Sequence, residues 1–204
     1  MTSVITGDII KSKDIQPHIW LKHLKHALAK IEPDSQYWEI YRGDSFQIEI
    51  RDYKESFISA VYIKACIKTI KGLDVRMSIG IGNKTFEGSK VTESNGTAFQ
   101  NSGTLIEFLK KEKINLKIKT NNHALDTELN LFFKLALIGM DNWTTNSAEI
   151  VKVHLDYPTK IQQEIAKIVG ISQDAVSKRM KRANLDEILE LNQMYKSKLA
   201  KLTL

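Results

Sequence analysis

The apolar period of this chain changes once, and that change constrains the fold more than any other feature. Before residue 120, five short stretches have strand character; after it none does. SVITGDII (3–10) is a short apolar run broken towards its end by Gly7 and Asp8. YWEIY (37–41) and SFQIEI (45–50) alternate on either side of Arg42-Gly43-Asp44, the pattern of a β-hairpin. DVRMSIGIG (74–82) sets Val75, Met77, Ile79 and Ile81 on one face, and NLKIK (115–119) alternates again. Helical spacing predicts helices over 17–32, 54–72 and about 94–113 between these strands. An α+β arrangement follows, a sheet with helices packed on it. From His123 the pattern is helical, over about 124–140, 145–155, 159–169, 172–183 and 185–202. The boundary falls near Thr120–His123 with Asn121-Asn122 as hinge, giving a mixed domain over 1–122 and an all-α domain over 123–204.

Within the helical half, QQEIAKIVGISQDAVSKRMKRA (162–183) carries the most specific local signal. Ile165, Ile168 and Val169 form an apolar stripe, and Ala166 is small where a second helix must come close. Gly170 supplies the positive φ of a tight turn. Ile171 plugs that turn, and the Ser172 hydroxyl can cap the next helix. Val176 and Met180, four residues apart, face inward. Gln173, Asp174, Ser177, Lys178 and Lys181 then point outward, with Arg182 beside them. This is a helix-turn-helix whose second helix offers amide, hydroxyl and basic tips to base edges and phosphates of duplex DNA. Ser172, Gln173, Ser177, Lys178, Lys181 and Arg182 are the candidate DNA contacts. An ordinary helical hairpin with a solvated basic face would need neither that glycine nor that cap.

Charge agrees only locally. The net charge is +6, with +5 on residues 1–122 and +1 on 123–204. Average basicity therefore favours the wrong half, while Lys178, Arg179, Lys181 and Arg182 cluster within five residues. The balance of 42% hydrophobic and 26% charged residues is that of a globular chain and excludes disorder throughout. No apolar run reaches the roughly 18–20 residues that cross a bilayer. One cysteine, Cys66, excludes an internal disulfide and a multi-cysteine zinc site. The N-terminus lacks a basic region and cleavage site, so a soluble, cytoplasmic protein is expected.

In the N-terminal half, Asp8 ends the first strand and Asp44 sits in the hairpin turn. If the hairpin lies beside the first strand, both carboxylates meet at one edge of the sheet. Two carboxylates with the Ile9 carbonyl suit Mg²⁺, which takes oxygen ligands and substrate phosphates. Either aspartate alone reads as an ordinary turn residue.

The order of elements resembles the ferredoxin-like catalytic core of class III nucleotidyl cyclases and GGDEF-type diguanylate cyclases over about residues 3–120. ITGDII is similar to their first-strand metal motif, RGDSF to the GGDEF hairpin with two positions changed, and VRMSIGIG to the strand that follows. ESNGTAFQNSGTLIE resembles the helix that carries their transition-state asparagine and arginine. The resemblance implies metal on Asp8, Ile9 and Asp44 and a nucleotide near Arg42, Gly43 and Ser45. It also implies lost chemistry. The asparagine and arginine fall on Gln100 and Thr104, the purine-selecting lysine near Ile40, the close-approach glycine on Arg42 and the glutamate on Ser45. Over nearly the whole chain, the GDI-type N-terminus, RGD-type hairpin and C-terminal helix-turn-helix resemble the SatD family, which implies a DNA-binding regulator.

Two function classes compete. One is a transcriptional regulator with a degenerate cyclase-like domain that senses a nucleotide or divalent metal; its last helix packs either on a symmetry mate, as in a homodimer, or on its own domain. The other is a metal-dependent nucleotide-processing enzyme controlled by its helix-turn-helix; the missing arginine and lysine count against it. A partner-binding scaffold without nucleotide is a third reading. His18, His23 and His26 crowd one helix without an acidic partner and read as a solvated face.

Overall fold

A computed structural model describes residues 1–202. Among the described residues the chain forms a five-stranded mixed sheet and eight α-helices. The order is β1 (Thr2–Ile10), α1 (Pro17–Ile31), β2 (Trp38–Tyr41), β3 (Ser45–Ile50), α2 (Ser56–Lys68), β4 (Asp74–Gly82), α3 (Thr97–Glu112) and β5 (Leu116–Lys119). Helices α4 (His123–Met140), α5 (Thr145–Asp156), α6 (Gln162–Val169), α7 (Gln173–Ala183) and α8 (Leu185–Leu199) complete it.

The strands lie in the order β2-β3-β1-β4-β5. β1 is antiparallel to both neighbours, β2 and β3 form the hairpin, and only β4 and β5 are parallel. That parallel pair needs a crossover, and α3 supplies it. The alternation sorts the faces. Ile5, Ile9, Phe46, Ile48, Val75, Met77 and Ile79 pack in the main core with α1 and α2. The opposite face is polar apart from a small cluster of Val4, Val91, Ala98 and Phe99. There α3 lies over β1, β4 and β5, while the β2–β3 end meets the short Val91–Glu93 turn. Gly80 permits this closeness: a Cβ there would stand 2.2 Å from the Ala98 carbonyl oxygen.

Helix α2 is the hub. Twelve of its 13 residues are buried, because the sheet takes one side and the helical half the other. Phe57 stacks on Phe133 of α4 with ring centroids 4.9 Å apart, and Tyr195 of α8 tilts against both. The Ser56 and Tyr195 hydroxyls meet at 2.7 Å. Lys64, fully buried, donates to Asp74 at 2.6 Å and to Asp141 at 2.7 Å. Lys68 donates to Asp74 and to the Asp141 carbonyl.

Several boundaries differ from the periodicity. The helix expected over 54–72 spans Ser56–Lys68, preceded by a 3₁₀ turn at Tyr53–Glu55; the Thr69 hydroxyl donates to the Cys66 carbonyl just past its end. The helix expected from Ser94 starts at Thr97, because Asn95 bridges back to Phe86 and Gly96 has φ +145°. The helix expected from 159 starts at Gln162, where the Glu164 carboxylate accepts the Ile161 N–H. The last helix ends at Leu199 rather than 202. β1 runs unbroken through Gly7 and Asp8.

Candidate nucleic-acid interface and carboxylate edge

The turn between α6 and α7 follows the local chemistry. Gly170 adopts φ +74°, and its N–H and that of Ile171 both donate to the Ala166 carbonyl. The Ser172 hydroxyl accepts the Ala175 N–H at 3.2 Å and caps α7. Ile165, Ala166, Val176, Met180 and Ala183 are buried where α5, α6 and α7 meet. The indole N–H of Trp143 donates to the Ala183 carbonyl and ties down the end of α7.

Ser172, Gln173, Asp174, Ser177, Lys178, Lys181 and Arg182 are all exposed, on one continuous side of α7. Two details depart from the sequence reading. Arg179 leaves the basic cluster to pair with Glu149 of α5 at 2.8 Å. Ile168 is 45% exposed and does not join the inward stripe, because α6 is covered only on the side of Ile165 and Ala166. Lys178 pairs with Asp174 one turn earlier, both well exposed, a contact worth little in water.

At the other end of the molecule, strand register builds a row across the polar face. Tyr41 of β2 opposes Ser45 of β3, Ser45 opposes Asp8 of β1, and Asp8 opposes Arg76 of β4. The next row runs Glu39, Gln47, Thr6, Ser78, with Gln47 donating to Thr6 and Thr6 to Ser102. Asp44 stands at the head of β3. Its carbonyl accepts the Ile9 N–H at 3.1 Å, and its carboxylate accepts the Ser12 hydroxyl at 2.5 Å. The hairpin does therefore lie beside β1, and Asp44 stands one position past the Ser45–Asp8 pair, opposite Ile9 and in the alternation of Phe46 and Ile48.

Burial pushes the Asp8 carboxyl up; Arg76 and Lys110 pull it back in part, and Asp44 and Glu107 add to the rise. Burial raises the Tyr41 phenol too. Arg42 and Gly43 are exposed in the turn, both with positive φ (51° and 88°). Lys11, beside Ser12, is also held at φ 63°. Non-glycine residues in this region carry backbone strain, and two of them flank Asp44. Gln100 and Thr104 are exposed on α3.

The donor types suit a divalent ion: Asp8 and Asp44 are carboxylates, and Asp8 keeps a buried oxygen that has no hydrogen-bond partner. Asp8, Asp44 and the Ile9 carbonyl would hold the ion, which would neutralise phosphate charge. No group of three or more His, Cys, Asp or Glu side chains suited to a metal occurs among the described residues. His23 and His26 turn to Thr69 and Tyr62 respectively. Cys66 is buried, its thiol pushed up to about 12 by burial.

Sequence reasoning passed over Arg76, Lys110, Ser12 and Tyr41. For Arg76 a signal was present: it falls on the side of β4 opposite Val75 and Met77. It also passed over a second apolar side of α4, where Leu131, Leu135 and Ile138 are exposed. This side borders a groove of about 590 Å³ against α8, lined in part by Phe132, Ile188 and Leu191. α8 itself buries Leu185, Ile188, Tyr195 and Leu199 in its own chain.

The fold and its two charged surfaces define an α+β protein with an antiparallel-rich sheet at one end and a helical cluster at the other. The SatD family profile matches residues 3–199, and the chain belongs to the SatD family. No curated protein and no solved structure matches it. No helix among the described residues is long and apolar enough to cross a membrane.

Proposed function

We propose that this chain is a DNA-binding transcriptional regulator whose N-terminal half senses a nucleotide, with or without a divalent ion such as Mg²⁺. One observation carries the DNA reading: the exposed side of α7 holds Gln173, Ser177, Lys178, Lys181 and Arg182, while its inner side is locked by Val176, Met180 and Ala183. A recognition helix needs that division. We read residues 123–204 as a helix-turn-helix domain and 1–122 as a ferredoxin-like, cyclase-type domain. The order β2-β3-β1-β4, with α1 and α2 on one face, supports the second assignment. The nucleotide would lie on the uncovered β2–β3 end of the polar face, near Arg42, Gly43 and Ser45.

The test is a fluorescence-anisotropy titration of duplex DNA at several salt concentrations. The variant Lys178→Ala/Lys181→Ala should bind more weakly and lower the log–log salt slope by about 2, since each phosphate contact contributes about 0.9. Its stability should stay within about 0.5 kcal/mol of wild type. Unchanged affinity and slope would overturn the reading. A symmetric operator bound at two chains per duplex would support a homodimer.

The enzyme reading draws on the Asp8–Asp44 edge alone. It predicts cyclic or linked nucleotide products from nucleoside triphosphates with Mg²⁺ or Mn²⁺, lost in Asp44→Ala. Without charged groups at Gln100 and Thr104, turnover should stay near background; loss of one such donor commonly costs roughly a hundredfold to a thousandfold.

A further inference from the structure

Arg76 is a cation set into the sheet directly opposite a proposed metal ligand. Its Nη1 stands 3.3 Å from Asp8 Oδ2, with side-chain exposures of 15% and 18%. A well-made arginine–carboxylate pair is bidentate, at about 2.7–2.9 Å. This one is a single long contact, and a buried atom on each side, Asp8 Oδ1 and Arg76 Nε, has no partner at all. Asp8 is thus neutralised without being saturated. The other charged or titratable groups acting on it are Lys110 and Glu107 of α3 and Asp44 of the hairpin turn, with Tyr41 of β2 alongside. Lys110 is tied to Glu107 by an exposed pair of the kind that is easily exchanged.

We propose that Arg76 is a tethered counter-cation: it holds the place on Asp8 that a divalent ion would take, and guanidinium and ion exclude each other there. This rests on the reading of the same edge as a nucleotide and ion site. A dication brought onto a carboxylate already facing a guanidinium meets like-charge repulsion where water screens it poorly. Because its contact to Asp8 is single and long, the guanidinium keeps donors open for a phosphate, for which its planar fork is suited. Arg76 is a positioning residue in this scheme, setting whether Asp8 is open to a metal and whether an anion can be held without one.

The experiment titrates Mn²⁺ into the full chain and follows free ion by electron paramagnetic resonance, with no nucleotide present. Arg76→Gln should bind Mn²⁺ about tenfold or more tighter than wild type, and Arg76→Lys, which keeps the charge, within about threefold of it. The factor of ten corresponds to about 1.4 kcal/mol of relieved repulsion. Arg76→Met, which keeps the buried stem, serves as the second neutral variant if the glutamine variant does not fold. A calorimetric titration of inorganic tripolyphosphate in EDTA should show binding to wild type that falls at least fivefold in the neutral variants. If the neutral variants bind Mn²⁺ no tighter than wild type while Asp8→Asn abolishes binding, the tethered-cation proposal is wrong and the ion reading stands. If neither wild type nor any neutral variant binds Mn²⁺, the ion reading itself fails, and this proposal with it.

Discussion

The outer side of α7 and the Asp8 edge of the sheet are both charged, yet they are built on opposite terms. On α7 the charged tips stand off a helix held from behind by apolar contacts, and the fold asks nothing of them. At the sheet edge the charges are half-buried, held by strand register, and answered mostly by one another. A surface for a polyanion can thus be assembled from residues that the fold does not need. A site for a small ligand is made of residues that the fold must tolerate, at a cost in stability that a ligand can relieve.

Stability measurements sharpen this contrast, and the largest effect should come from neither site but from the joint between them. Lys64→Ala removes the buried cation that Asp74 and Asp141 share and leaves Asp74 with Lys68 alone. Breaking a buried ion pair from one side costs about 3–5 kcal/mol. Urea denaturation should show that loss, and a loss below about 1 kcal/mol would mean that the two halves are joined by apolar packing alone.

A smaller effect is expected at Asp156, where α5 meets α1 and α2. Its carboxylate accepts hydrogen bonds from Lys30, Lys152 and the Tyr62 hydroxyl. Burial alone would raise this carboxyl, but those hydrogen bonds outweigh it and hold it below 3.8. The folded chain therefore favours the ionised form. The contribution is full above 3.8 and is lost as pH falls through the lower folded value. Asp156→Asn should cost about 1.5–3 kcal/mol at pH 7, the range for a hydrogen bond to a charged group. The penalty should fade in acid. A penalty independent of pH would show that the packing of the side chain, and not its charge, matters.

The smallest effect should have the opposite sign. Asp8 is raised above 3.8, chiefly by burial, so the folded chain favours its neutral form. Its stabilising share is complete below 3.8 and is lost as pH rises through the folded value. Asp8→Asn should therefore be more stable than wild type at pH 7, by about 0.5–1 kcal/mol, the scale of a single relieved functional compromise. The gain should vanish in acid. Thermal melts at pH 7 and pH 3 decide it; a destabilised Asp8→Asn at pH 7 would place Asp8 among the residues that hold the sheet together and end the contrast with α7.

What could be read without coordinates was local. The hairpin, the alternating face of β4 and the Gly170 turn with its Ser172 cap each depend on a period or a backbone preference expressed within about ten residues. The pairing of β3 with β1 was legible only as a condition, since no local period says which strands become neighbours. Where a helix is covered on one side alone, as α6 is with Ile168 left exposed, an apolar spacing overstates the buried stripe.

The amino-acid sequence by itself determined the kinds of element, their order, the turn at Gly170 and the charged composition of α7's outer side, because those follow from φ preferences, capping and periodicity along the chain. Only the tertiary structure decided which charges are answered. Lys64 and Lys68 found their partners when the end of α4 and the start of β4 closed over α2 and brought Asp141 and Asp74 to them. Arg179 was drawn off to Glu149 by the packing of α7 on α5, and Arg76 met Asp8 through strand register. Such pairs join residues 6 to 77 positions apart, and their geometry is set by which elements pack together, which no local period encodes.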